Sequence, residues 1–146
     1  MAIFLFLPPT PLHAAVSPIV INEIMWDGVE YIELHNTTPE TIGLTGWTLA
    51  RQQLGSSPKT IVTFTEGDNI AANDFYLITK NEAATSVTPD KIISSLTLVN
   101  TGELLTLTND EAVLIDSANQ LAEWFAGRNT ETGSAMERTN AALAGT

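Results

Sequence analysis

The chain has no cysteine. Disulfides, thiolate nucleophiles, and Cys-ligated zinc or iron–sulfur centres are therefore excluded. Bases are scarce as well. Six lysines and arginines face seventeen acids, for a formal charge of −11. Such a surface repels nucleic acid and anionic lipid at long range, so nucleic acid is not expected as a partner. There are only two histidines, His13 and His35. No stretch approaches the roughly 20 apolar residues of a transmembrane helix. P-loop, dinucleotide and G-x-S-x-G signatures are all missing, and so is a twelve-residue calcium loop of the EF-hand type.

At 146 residues the chain suffices for one domain with its own core. Its first 15 residues read as a secretory signal. An apolar run, Ala2 to Leu7, is followed by prolines and by small residues at Ala14 and Ala15, where cleavage is expected. The alternative is an apolar tail. The location implied by a leader is secreted, periplasmic or cell-surface.

The segment Val20 to Asn36 anchors the rest of the chain. Alternation puts Val20, Asn22, Ile24 and Trp26 on one strand face, and Ile21, Glu23 and Met25 on the other. In the second run Ile32 and Leu34 share a face, opposite Tyr31, Glu33 and His35. Asp27-Gly28 reads as the hairpin turn, or as part of a longer loop through Val29.

Further strands are expected at Thr41–Arg51 with a bend at Gly46, and at Thr60–Thr65 and Phe75–Lys80. A hairpin of Ser95–Val99 with Glu103–Thr108 follows, then strands at Ala112–Ile115 and Ser134–Thr139, with Leu121–Phe125 between them as a strand or one helical turn, the strand being favoured. Asp116–Asn119 reads as a turn. The segment 141–146 reads as a flexible tail or a truncated continuation. About eight to ten short strands, with no amphipathic helix, predict an all-β antiparallel sandwich. Trp47, Phe64, Phe75, Tyr76 and Trp124 are expected to supply much of its core.

Several pieces in order resemble the lamin tail domain family in its bacterial secreted form. They are I-N-E-I (21–24), Y-I-E-L-H-N (31–36), I-G-L-T-G-W-T-L (42–49), N-T-G-E-L-L-T-L-T-N (100–109), L-I-D-S (114–117) and G-S-A-M-E-R (133–138). The resemblance covers about residues 20–140. It implies an immunoglobulin-like sandwich at 16–140 without catalytic residues. Bacterial members of the family look like accessory or surface modules, often joined to secreted nucleases, phosphatases or other hydrolases.

The candidate sites gather at the hairpin. Glu23, Asp27 and Glu30 are candidate calcium ligands, since carboxylates suit a hard cation. The alternative is that Glu30 and Glu33 are solvated or paired with Arg51, Lys59 or Arg138. Trp26 and Tyr31 are candidate binding residues for a sugar ring or a partner surface, with core packing an equal alternative for Trp26. A Ser–His–Asp arrangement has only His35 to use, with Asp27 or Asp116 as its orienter. Asn36-Thr37-Thr38 is a glycosylation sequon and, more simply, a turn.

No catalytic residue and no cofactor beyond calcium is expected. The function read from the sequence is a non-catalytic, monomeric secreted or surface module that binds protein or an extracellular polymer. The alternatives are an accessory domain of a larger secreted hydrolase and a calcium-stabilised adhesion module.

Overall fold

A hairpin of β1 (Ile19–Met25) and β2 (Tyr31–Asn36) founds the fold. Their pairing closes at Met25 opposite Tyr31, so the connection is the longer, five-residue loop. Gly28 sits in it at φ +80°, a conformation that glycine adopts without a Cβ clash. The computed structural model describes residues 16–120, 123–127 and 133–141. The expected leader (1–15) and residues 142–146 of the tail lie outside the described residues, as do Leu121 and Ala122.

The remaining strands are β3 (Ile42–Gly43), β4 (Thr48–Gln52), β5 (Lys59–Thr63), β6 (Asn69–Ile70), β7 (Phe75–Thr79), β8 (Lys91–Ile92), β9 (Leu104–Thr108), β10 (Leu114–Ala118) and β11 (Met136–Glu137). They form a five-stranded sheet in the order β11-β1-β2-β7-β8, a four-stranded sheet β10-β9-β4-β5, and a small β3-β6 pair. All neighbours are antiparallel except β7 and β8. No helix occurs among the described residues, so none is long and apolar enough to cross a membrane. The molecule is the all-β, immunoglobulin-like sandwich that the sequence predicts.

The core lies between the sheets. Ile24, Ile32, Leu34 and Ile78 from one sheet join Leu49, Val62, Leu105 and Leu107 from the other in one apolar cluster. Burying each such side chain contributes about 1.5–3 kcal/mol. Trp47, Phe64 and Tyr76 are buried in it, and half-buried Trp124 packs against it. Gly46 makes the expected bend at φ +81°, where a Cβ would lie 2.9 Å from the Asp110 Cβ.

The structure corrects four expectations about the strands. Register skips from Ile21↔Leu34 to Glu23↔Glu33, so Asn22 is an extra residue in β1. This bulge switches faces: Ile19 and Ile21 point to the core before it, Ile24 and Trp26 after it. Ile21 therefore does not share a face with Glu23. Second, Ser95–Val99 is not a strand, although Leu96 and Leu98 are buried. β9 is already paired on both edges, by β4 and β10, and leaves no ladder for that segment. Third, Asp116–Ala118 continues β10 instead of turning. Fourth, Glu123, Trp124 and Phe125 are not a strand; Trp124 stacks on Trp26, with 6.0 Å between ring centroids.

The physical cause of the bulge and of the continued β10 is one buried junction. Asp116 Oδ2 accepts the Ile21 N–H at 2.7 Å and the Arg138 guanidinium at 2.5 Å. Arg138 donates its backbone N–H to Asn22 O and its Nε–H to Ile21 O. One arginine thus ties the last strand, the bulge and the edge of the second sheet together.

Asn36 is fully buried. Its amide donates to the carbonyls of Glu40, Ile70 and Ala71, and its Oδ1 accepts from the Thr38 N–H. The sequon asparagine is therefore a buried turn hub, with no exposed nitrogen for a glycan in the folded protein.

Candidate binding groove on the outer sheet face

Alternation along β2 sends Ile32 and Leu34 inward and leaves Tyr31, Glu33 and His35 on the outer face of the five-stranded sheet. On β7, Tyr76 and Ile78 enter the core, while Phe75 and Leu77 face the other way. Register then sets side chains in a row across four strands. Leu77 of β7 lies opposite Glu33 of β2, Glu33 opposite Glu23 of β1, and Glu23 opposite Glu137 of β11. Three carboxylates on adjacent strands repel one another, an arrangement that sheets ordinarily avoid.

The connection from β7 to β8 closes the other side. Leu77 N–H donates to Asp90 Oδ2, and Asp90 N–H donates back to Leu77 O. This pair of hydrogen bonds pins the segment carrying Thr85, Val87 and Thr88 beside the sheet. Between them lies a hollow of about 530 Å³, with Glu23, Tyr31, Glu33, Asp74, Phe75 and Asp90 in its lining. A second hollow, of about 490 Å³, shares the Thr85, Val87 and Thr88 wall and adds Glu82 and Ile92. Phe75 is 46% exposed and Val87 64%. Phase along β7 places Phe75 on the groove side, where it stacks on His35 at 4.5 Å, so it is not the core residue expected from sequence.

The acids here have neutral partners. Glu23 accepts from the Tyr31 hydroxyl at 2.6 Å and Glu33 from the Asn22 amide at 2.9 Å. Burial raises the Glu33 carboxyl above its ordinary range; the Asn22 bond and the nearby His35 oppose the rise, and Glu23 and Glu137 add to it. Burial also raises the Tyr31 phenol, reinforced by its bond to Glu23, so it remains a proton donor. The nearby bases are committed elsewhere: Lys80 to Glu30 at 2.8 Å, Lys91 to Asp68, Arg138 to Asp116. One position beyond Leu77 on the same face, the buried Thr79 hydroxyl has no partner among the described residues.

The residues singled out in the sequence divide. Tyr31 and Glu23 line the groove. Trp26 does not: it is 8% exposed, stacked on Trp124, and bonded through Nε1 to Ala126 O. A Cβ at Gly127 would lie 2.6 Å from that Nε1. Trp26 is thus a core residue, which corrects its reading as a surface grip.

Glu23, Asp27 and Glu30 are held by separate partners, Tyr31, Asn100 and Lys80 respectively. Among the described residues, no three acids or histidines converge to hold a metal ion. Glu30 pairs with Lys80, Arg51 with Glu103 and Arg138 with Asp116, none of which is a pairing expected from sequence. His35 stacks on Phe75, and Asp116 serves Arg138, so neither joins a serine triad. Sequence reasoning missed Asp74, Phe75, Val87 and Asp90. The phase of β7 alone could have put Phe75 beside Leu77.

A family model described as Lamin Tail Domain matches residues 13–127. The chain belongs to the lamin tail domain family. Membership agrees with the immunoglobulin-like sandwich and with a non-catalytic reading of this lamin tail module. The match stops short of β11, which nonetheless completes the five-stranded sheet beside β1. A comparison with curated proteins gives no match.

Proposed function

We propose that this lamin tail domain is a non-catalytic, monomeric module, secreted or held at the cell surface, that docks a protein partner in the groove beside β7. The observation that carries the reading is the groove itself. It is concave and half apolar, it exposes Phe75 and Val87, and its carboxylates are matched only by neutral donors. Monomeric proteins rarely leave such a mixed apolar and polar hollow without a use. The location rests on the apolar run Ala2–Leu7 followed by Ala14 and Ala15.

Photo-crosslinking in producing cells tests the docking role. A benzoylphenylalanine placed at Val87 is expected to give a discrete protein adduct. The same group at Leu54, exposed in the loop between β4 and β5, is expected to give none. Identical adduct patterns at both positions, or none at Val87, would overturn the reading. The location is checked by intact mass: a species starting at Ala15 or Val16 is expected in the medium or envelope. Protein recovered only in the cytoplasm with its leader intact would remove that part of the proposal.

A further inference from the structure

We propose that the occupant of the groove is an extended basic segment of a protein partner, which sets lysine or arginine side chains between the Phe75 ring and the carboxylates of Glu23 and Glu33. The inference rests on the docking reading above and adds the chemistry of the partner.

Charge selects among the candidates. Glu23, Glu33, Asp74 and Asp90 line the first hollow and Glu82 the second, and no basic side chain lines either. An apolar segment laid there would strip water from carboxylates without replacing their hydrogen bonds, a costly exchange. A second copy of this chain has the same net charge of −11 and is repelled. A cation instead removes a repulsion already present, since Glu23 and Glu137 both push the Glu33 carboxyl up. Tyr31 and Asn22 each occupy one oxygen of their partner glutamate and leave further acceptor positions for N–H donors.

The apolar surface refines the choice. Lysine and arginine carry a long aliphatic stem behind the charge, and the stem packs on apolar walls while the head stays polar. Exposed Phe75 and Val87 supply those walls, and the Phe75 face that His35 does not cover attracts the cation directly. A bare metal ion uses neither. The room is also too large for one side chain. Two hollows of about 530 and 490 Å³ meet at a shared Thr85–Val87–Thr88 wall, and an extended chain with alternating side chains can lie across it.

The test uses a fluorescein-labelled decapeptide alternating lysine and serine, read by anisotropy at about 0.1 M salt, where charges farther apart than about 10 Å are screened. Saturable binding to the full chain is expected. Both Glu33→Gln combined with Glu23→Gln, and Phe75→Ala alone, are expected to weaken it about tenfold or more. Glu66→Gln combined with Glu111→Gln, exposed acids elsewhere on the surface, are expected to leave it unchanged. The glutamine-for-lysine peptide is expected not to bind.

Loss of affinity in the Glu66/Glu111 variant equal to that in the Glu23/Glu33 variant would reduce the effect to bulk acidity and overturn the inference. Spermine binding as tightly as the peptide would overturn the claim for a chain segment. Each variant is checked for a thermal midpoint no lower than that of the wild type, and Glu33→Asp, which keeps the charge, is expected to retain most of the binding. The two readings fail separately. An adduct at Val87 with no lysine-peptide binding sinks the basic occupant and leaves the docking surface. No adduct at Val87 sinks the docking surface itself.

Discussion

Asp116 and Glu33 are both carboxylates that burial pushes upward in pKa. Their surroundings differ. Asp116 is buried at the sheet junction against a guanidinium, with Arg138 at 2.5 Å and the Ile21 N–H at 2.7 Å. Glu33 is half-buried on the outer face, bonded to a neutral amide, and stands at the end of a row of three glutamates, next to Glu23. The first carboxylate completes the fold; the second strains it slightly. A fold gains nothing from a row of like charges, so the outer row is the better marker of a surface kept for a partner. Charge count alone does not separate the two. The partner of each charge does.

The largest expected effect comes from breaking the junction. Asp116→Ala removes the Asp116 carboxylate from the Arg138 guanidinium and leaves the Ile21 N–H without that acceptor. A loss of about 3–5 kcal/mol in urea unfolding is expected, the usual cost of removing one member of a buried pair. A double-mutant cycle with Arg138→Ala sharpens the contrast. The junction is expected to show a favourable coupling above about 1 kcal/mol, whereas Glu23→Gln with Glu33→Gln is expected to show a small coupling of the opposite sign. A junction coupling near zero would remove the distinction between the two sites.

Next in size is Asn36→Ala, on the same strand as Glu33 and three residues further on. It removes the donor shared by the Glu40, Ile70 and Ala71 carbonyls and the acceptor for Thr38. About 2–3 kcal/mol of stability is expected to be lost, read from the denaturant midpoint at constant slope. A loss below about 0.5 kcal/mol would mean that water replaces the amide and that the hub is not structural.

These residues also mark what a sequence makes legible. β2 could be read correctly because its alternation is unbroken from Tyr31 to His35 and local pattern decides it. β1 could not be phased, because Asn22 fits either face and the bulge is imposed by Arg138, far away in sequence. Asp116-Ser117-Ala118-Asn119 has turn composition, yet a buried guanidinium and the Thr106 and Leu107 ladder hold its first three residues as strand. Leu96 and Leu98 alternate like a strand, but no free edge of β9 remains for them. The groove was half legible. Tyr31 and Glu23 stand out beside the turn, while Asp74, Phe75, Val87 and Asp90 meet them only because β7 pairs with β2 and the chain then folds back through Asp90. Trp26 stayed open between surface and core, because closeness to a turn suggests exposure. Its neighbour Trp124 arrives from nearly a hundred residues away.

The smallest effect is the most direct probe of the outer row. Glu33 has a folded-state pKa raised above its unfolded value. A proton on it therefore favours the fold, and that contribution is present below the unfolded pKa and lost as pH rises through the folded one. At neutral pH the ionised side chain acts against stability. Because Glu33 is only half-buried, screening by solvent limits the penalty to a few tenths of a kcal/mol.

Glu33→Gln is thus expected to stabilise the domain by about that amount at pH 7. The gain should shrink as pH falls toward the ordinary carboxylate range, where the wild-type side chain also becomes neutral. Asp68 supplies the internal contrast. Burial opposes its ionisation, but Lys91 and the Tyr76 hydroxyl hold it down at about 2. Its contribution therefore runs the other way, present above its unfolded pKa and lost as pH falls toward 2. Paired thermal melts of wild type and Glu33→Gln from pH 7 to pH 4 read the difference. A variant that is less stable than wild type at pH 7 would show that the glutamate row supports the fold, and Glu33 would then belong with Asp116 among the structural charges.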